Sequence, residues 1–128
     1  MAKILLVGTE QSALDTVTKM LVDNGFDVAT ELSAKDGLDR IGDEFFPCCV
    51  VNLPREEGLW FLIKVRALHK VAASSTPILV LADDRSDDMS EYVESGATKA
   101  IRKPEVSGEK LVAELRRIMN IPRMGSLI

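Results

Sequence analysis

Ile78-Leu79-Val80-Leu81-Ala82 is an apolar run with no polar alternation, opened by Thr76-Pro77 and followed at once by Asp83-Asp84. Such a run reads as a strand buried on both faces, the condition of a parallel sheet covered by helices on each side. Ile4-Leu5-Leu6-Val7 and Cys48-Cys49-Val50-Val51 have the same character. Phe26-Asp27-Val28-Ala29-Thr30 and Thr98-Lys99-Ala100-Ile101-Arg102 mix polar with apolar positions and read as edge strands. Between the runs lie stretches with helical spacing: Leu14/Val17/Leu21, Leu38/Ile41, Leu59/Leu62/Ile63, Met89/Tyr92/Val93 and Leu111/Leu115/Ile118. Five strands therefore alternate with five helices.

The boundaries carry matching chemistry. Asn24-Gly25, Gly42 and Gly96 read as helix ends, Ser33-x-x-Asp36 as a capping box, and Ser86-Asp87-Asp88 as a cap followed by first-turn acids. A regular strand–helix repeat with short connections implies right-handed crossovers onto a doubly wound α/β sheet of the flavodoxin-like (βα)5 type. The order 2-1-3-4-5 puts the three apolar runs in the centre and the mixed ones at the edges. Its switch point lies between strands 1 and 3, so a crevice is expected from Gly8-Thr9-Glu10, the loop after Asn52, and the ends of strands 4 and 5.

The 128 residues suit one domain, expected over 1–119, with 120–128 as a C-terminal tail. A net charge of −4 and a pI near 5.0 do not favour nucleic acid, whose phosphates need a basic excess. No apolar run approaches the roughly 18 residues of a membrane span. Lys3 is followed by too short an apolar stretch for a secretory signal, so a cytoplasmic location is expected. The adjacent Cys48 and Cys49 sit in an apolar run, where packing is the favoured role over redox chemistry or metal binding.

Several local patterns now converge. Lys3-Ile4-Leu5-Leu6-Val7 opens the domain and Leu53-Pro54-Arg55-Glu56-Glu57-Gly58-Leu59 leads the third helix. Thr76-Pro77-Ile78 opens the fourth strand, and Gly96-Ala97 is followed by Lys103-Pro104. Over residues 1 to about 119 the chain resembles the receiver domain of bacterial two-component response regulators, of the single-domain chemotaxis type. The resemblance implies a strand-3 aspartate that accepts a phosphoryl group, an acidic pair after strand 1 that holds Mg²⁺, a Ser or Thr ending strand 4, an aromatic on strand 5, and a Lys before a Pro. Carried over by position, the acidic pair falls on Gly8 and Thr9, the acceptor on Asn52, the hydroxyl on Ala82 and the aromatic on Ala100; only Lys103 keeps its family identity. The loop from Asn52 to Gly58 is two residues shorter than usual, so counting back from Pro54 would place the acceptor at Val50. Neither register supplies a carboxylate.

A neutral amide or a hydrocarbon is no substitute for a carboxylate nucleophile, and Mg²⁺ wants one or two carboxylates. The expectation is a degenerate receiver with no aspartyl phosphorylation, no resident metal and no cofactor, and not an enzyme. Lys103, stripped of its usual partners, is expected to turn outward, pair with Glu10, Glu57 or Asp83, or hold an outside anion. His69, Trp60, Phe61 and the pairs Asp83-Asp84 and Asp87-Asp88 read as surface, packing and solubility residues rather than as a site.

Without phosphoryl chemistry the expected mode of action is contact with a protein partner: a kinase, an effector, or a second copy through helix 4, strand 5 and helix 5. Asp87, Asp88, Glu91 and Glu94 stand against Lys99, Arg102, Lys110, Arg116 and Arg117 there, which permits reciprocal dimer contacts or mere intramolecular screening. Two rivals remain: a small-anion or nucleotide sensor at Gly8, Thr9 and Ser12, and a receiver that uses Asp83 as a nonstandard acceptor.

Overall fold

The chain forms β1 (Lys3–Gly8), α1 (Gln11–Asp23), β2 (Asp27–Glu31), α2 (Ala34–Asp43), β3 (Cys48–Asn52), α3 (Arg55–Arg66), α4 (Val71–Ser74), β4 (Ile78–Ala82), α5 (Met89–Ser95), β5 (Lys99–Arg102) and α6 (Gly108–Ile118). The computed structural model describes residues 2–83, 87–103 and 108–119, so the expected tail and the expected cap Ser86 lie outside the described residues. The sheet is parallel throughout in the order β2-β1-β3-β4-β5, as the burial pattern of the sequence implies. The fourth and fifth helices of the sequence reading are α5 and α6, because α4 intervenes. One turn is too short to leave a periodic signal, and α4 buries only Ala73.

Alternate residues of the central strands enter two separate cores. Ile4, Leu6, Cys48, Val50, Leu79 and Leu81 meet Leu14, Val17 and Leu21 of α1 and Leu111 and Leu115 of α6. Leu5, Val7, Cys49, Val51, Ile78 and Val80 meet Ile41 of α2, Phe61, Leu62 and Val65 of α3, and Tyr92 of α5. Both thiols are buried and free; burial pushes Cys48 up to about 12 and Cys49 well above the usual thiol range, so both pack as small hydrophobes. Trp60 is 40% exposed, Ile63 and Val93 also face outward, and His69 is exposed after α3.

The helix ends follow the sequence in part. The Ser33 hydroxyl accepts the Asp36 N–H at 3.1 Å, and Gly25 and Gly96 leave their helices at φ +90° and +129°. Gly42 instead lies within the last turn of α2, which ends at Asp43 with Glu44 as its C-cap, and α5 is capped by the Asp88 carboxylate accepting from the Ser90 N–H. Gly37 serves by its size: a Cβ there would stand 2.7 Å from Val7 Cγ2, so α2 can lie this close to β1 only without one.

Two polar devices hold α5 in place. Arg66, at the end of α3, donates to the carbonyls of Gly96 (2.9 Å), Ser74 (2.9 Å) and Thr76 (2.7 Å), binding the ends of α5 and α4 and the approach to β4. At the other end of α5, the buried Tyr92 hydroxyl donates to Asp87 Oδ2 at 2.8 Å. Asp87 is thus a buried acceptor rather than the solvated helix-start charge expected from sequence, because Tyr92 and the guanidinium of Arg102, which reaches its carbonyl at 3.1 Å, enclose it.

Arg66→Met keeps the aliphatic stem but removes all three bonds, and it should lower the unfolding free energy by about 2–3 kcal/mol. Urea titration with an unchanged slope would register the loss, and Lys should not restore it, since an ammonium cannot reproduce the planar fork. Tyr92 is the only tyrosine, and burial followed by the bond to Asp87 raises its pKa above the ordinary value. A raised pKa means that the phenol's contribution is complete below its ordinary pKa of about 10 and is lost as pH rises through the folded value. Phenolate absorbance should therefore appear only together with alkaline unfolding; ionisation near pH 10 in the folded protein would contradict the buried bond.

Candidate functional site

Because every strand is parallel, all five carboxyl ends meet one edge, and a cleft of about 230 Å³ opens there beside the β1/β3 switch point. Thr9 and Glu10 enter it from the turn after β1, Asn52, Leu53, Pro54 and Arg55 from the turn between β3 and α3, and Asp83 and Asp87 from the segment after β4. Gly8 is paired with Asn52 across β1 and β3, so the two strands end side by side at its floor. Of the two possible registers, Asn52 reaches this edge, whereas Val50 is fully buried in the core under α1 and α6.

The Asn52 side chain is engaged at both ends. Its Nδ2 donates to the Leu81 carbonyl at 3.0 Å, which turns Oδ1 toward Lys103 Nζ at 3.4 Å. Lys103 Nζ also lies 3.5 Å from Asp83 Oδ1. Both contacts to the ammonium are longer than a well-formed charge-assisted hydrogen bond. Of the three acids proposed as its partners, Asp83 alone has an ion-pair contact with it among the described residues. Glu10 lies on the cleft wall as the residue preceding α1, and Glu57 is exposed in the first turn of α3, away from the wall.

The room that a side chain at Gly8 would need is taken: its Cβ would fall 2.9 Å from Leu14 Cδ2 and 3.1 Å from the Asn52 carbonyl oxygen. Ala82 is fully buried, and Ala100 packs, partly buried, against the same core that contains Tyr92. Three carboxylates, Glu10, Asp83 and Asp87, line the cleft, a poor setting for the anion expected at Gly8, Thr9 and Ser12. Among the described residues no group of three or more His, Cys, Asp or Glu is arranged to hold a metal ion.

On the α5–β5–α6 side, most of the expected partner-facing charges are engaged within the chain. Glu91 takes both arms of Arg55, at 2.8 and 2.5 Å, which holds the guanidinium above its ordinary pKa. Glu114, nearly buried on α6, pairs with Arg117 and with Lys99 at 3.4 Å, and Arg116 stands 5.9 Å over the Phe26 ring. Asp88 caps α5; Glu94 is exposed. The sequence reading did not mark Arg55, Asp87, Glu114 or Leu14 for these roles. Arg55 meets Glu91, Leu14 meets Gly8 and Glu114 meets Lys99 across gaps between elements, contacts that periodicity does not record.

Residues 4–116 match the response regulator receiver domain family. The response regulator ArlR of Staphylococcus aureus is 30% identical over 122 residues, covering 93% of this chain and 53% of that protein. The chain thus spans about half the length of the curated relatives it matches. The chemotaxis response regulator CheY4 of Vibrio cholerae superposes with a TM-score of 0.79 at 29% identity, covering 92% of this chain and 98% of that one. The receiver domain of the sensor histidine kinase PA1611 of Pseudomonas aeruginosa, which has a magnesium ion coordinated in its active-site cleft, superposes with a TM-score of 0.81 at 19% identity, covering 92% and 97%. Among the described residues no helix is long and apolar enough to cross a membrane. Parallel sheet, switch-point cleft and family match agree: this chain belongs to the response regulator receiver domain family of two-component signalling.

Proposed function

We propose that this chain is a receiver module that acts in the cytoplasm through protein contacts, without passing through an aspartyl phosphate and without direct contact with nucleic acid or membrane. The observation that carries the reading is Asn52 at the end of β3, facing Lys103. Its amide has no ionisable oxygen to attack phosphorus, and its single carbonyl oxygen already faces an ammonium group. A Mg²⁺ ion of the kind coordinated in the PA1611 receiver would lack its acidic pair here, and the cleft carboxylates Glu10, Asp83 and Asp87 do not converge as a metal-holding group among the described residues, Asp87 being taken by the Tyr92 hydroxyl. Gly8 and Thr9 supply no carboxylate, and Leu14 occupies the space that one on Gly8 would need. The side chains at the positions of the acidic pair, acceptor, hydroxyl and switching aromatic, Gly8, Thr9, Asn52, Ala82 and Ala100, are thus read as a degenerate site in which only Lys103 retains its identity.

Receiver domains work with kinases and effectors, and a separate protein of this kind is the partner that we favour over a second copy. With Glu91, Glu114, Lys99, Arg102 and Arg117 satisfied inside the chain, the α5–β5–α6 side retains few charges for the reciprocal pairs of a two-fold dimer.

Incubation with acetyl phosphate and Mg²⁺ should leave the intact mass unchanged, and Asn52→Asp alone should not bring strong Mg²⁺ binding, because the neutral pair at Gly8 and Thr9 remains. A phosphoryl group located on Asp83 or on any other cleft aspartate would refute the reading. Sedimentation should show a monomer that the double reversal Arg116→Glu, Arg117→Glu leaves unaltered. A dimer dissolved by that reversal would instead establish self-association through α5, β5 and α6.

A further inference from the structure

A second cavity, a groove of about 250 Å³ open to solvent, lies between α1 and α6, with Lys103 among its lining residues. Thr16, Val17 and Met20 of α1, Leu111 of α6 and Leu81 of β4 form its wall. Val17, Leu81 and Leu111 are core residues, and the Thr16 hydroxyl is already satisfied by the Ser12 carbonyl at 3.0 Å. Lys103 is the charged side chain among the described lining residues. An apolar chamber with one cation on its wall suits a particular chemistry: an apolar body that replaces water along the wall and a single negative head that meets the ammonium.

The ammonium is free to accept that head. It has three donors, and its recorded neighbours, Asn52 Oδ1 at 3.4 Å and Asp83 Oδ1 at 3.5 Å, hold it loosely. A groove of about 250 Å³ suits a short chain of several carbons rather than a large ligand.

We infer that the α1–α6 cavity binds a small amphipathic carboxylate, such as a medium-chain fatty acid or an arylalkanoate, with its chain against Val17, Met20, Leu81 and Leu111 and its head on Lys103. The bound head competes with Asn52 and Asp83 for the same ammonium group. Occupancy of the cavity therefore alters the cleft at the end of β3, an input that needs no phosphoryl chemistry. The inference is independent of the reading of Asn52, since it holds whether or not an aspartate can be phosphorylated here.

Octanoate, 1-octanol and acetate, each titrated into the whole chain and followed by methyl NMR, separate the contributions. Octanoate should shift the methyl groups of Val17, Leu81 and Leu111 saturably at millimolar concentration or below, octanol should bind at least about tenfold more weakly, and acetate should not bind. Lys103→Met should abolish the preference for octanoate over octanol. Thr16→Trp, a change on the exposed side of α1 that fills the chamber, should abolish both shifts. Phenylpropionate against octanoate then distinguishes an aromatic from an aliphatic body. Equal affinity for octanoate and octanol, a preference that survives Lys103→Met, shifts confined to the exposed methyl groups of Ile63 and Val93, or no saturable shift in the unmodified chain would each overturn the site. The last comparison requires no variant to fold.

Discussion

The burial of β1, β3 and β4 on both faces is the constraint from which the rest follows. A sheet without a wet face needs helices on either side, and parallel crossovers supply them while sending every strand toward the same edge. Backbone ladders close within the sheet, so the carboxyl ends are where polar side chains can enter without breaking the core. The cleft lies at this edge, and Lys103, whose ammonium neighbours Asn52 and Asp83 of the cleft, also lines the groove between α1 and α6.

Electrostatics then decides what the edge can do. Asn52 commits its amide nitrogen to Leu81 and its oxygen to the side facing Lys103, while Leu14 closes over Gly8. Leu14 of α1 thus packs against the place where a side chain on Gly8 would begin. Asp83 leaves Lys103 with a partial counter-charge at a mostly solvated position, where an ion pair is worth little. The lysine is therefore more available to a ligand than a tightly paired one would be.

The same economy governs α5. Its carboxyl end is held through Arg66 and Gly96, its amino end through Tyr92 and Asp87, and its outer charge Glu91 is bound to Arg55 at the start of α3. These contacts tie α5 to both ends of α3 and to the segment that enters the cleft after β4. The side chains that make them come from α3, α5 and the segment between β4 and α5, and none comes from Ala100.

Strand assignment, sheet order and the location of the cleft were legible in the sequence because they depend on local runs of apolar residues and on chain direction, both of which are one-dimensional quantities. The family resemblance directed attention to Asn52, Gly8, Thr9 and Lys103, of which Thr9 and Asn52 line the cleft and Lys103 neighbours Asn52. Only the tertiary structure decided that Asp87 is buried, that Glu91 pairs with Arg55 and Glu114 with Arg117 and Lys99, that Asn52 rather than Val50 reaches the edge, and that a groove bordered by Lys103 lies between α1 and α6. The physical reason is distance along the chain: Asn52 and Lys103, or Arg55 and Glu91, meet only after the crossovers have been made, and no periodicity records a contact between residues so far apart.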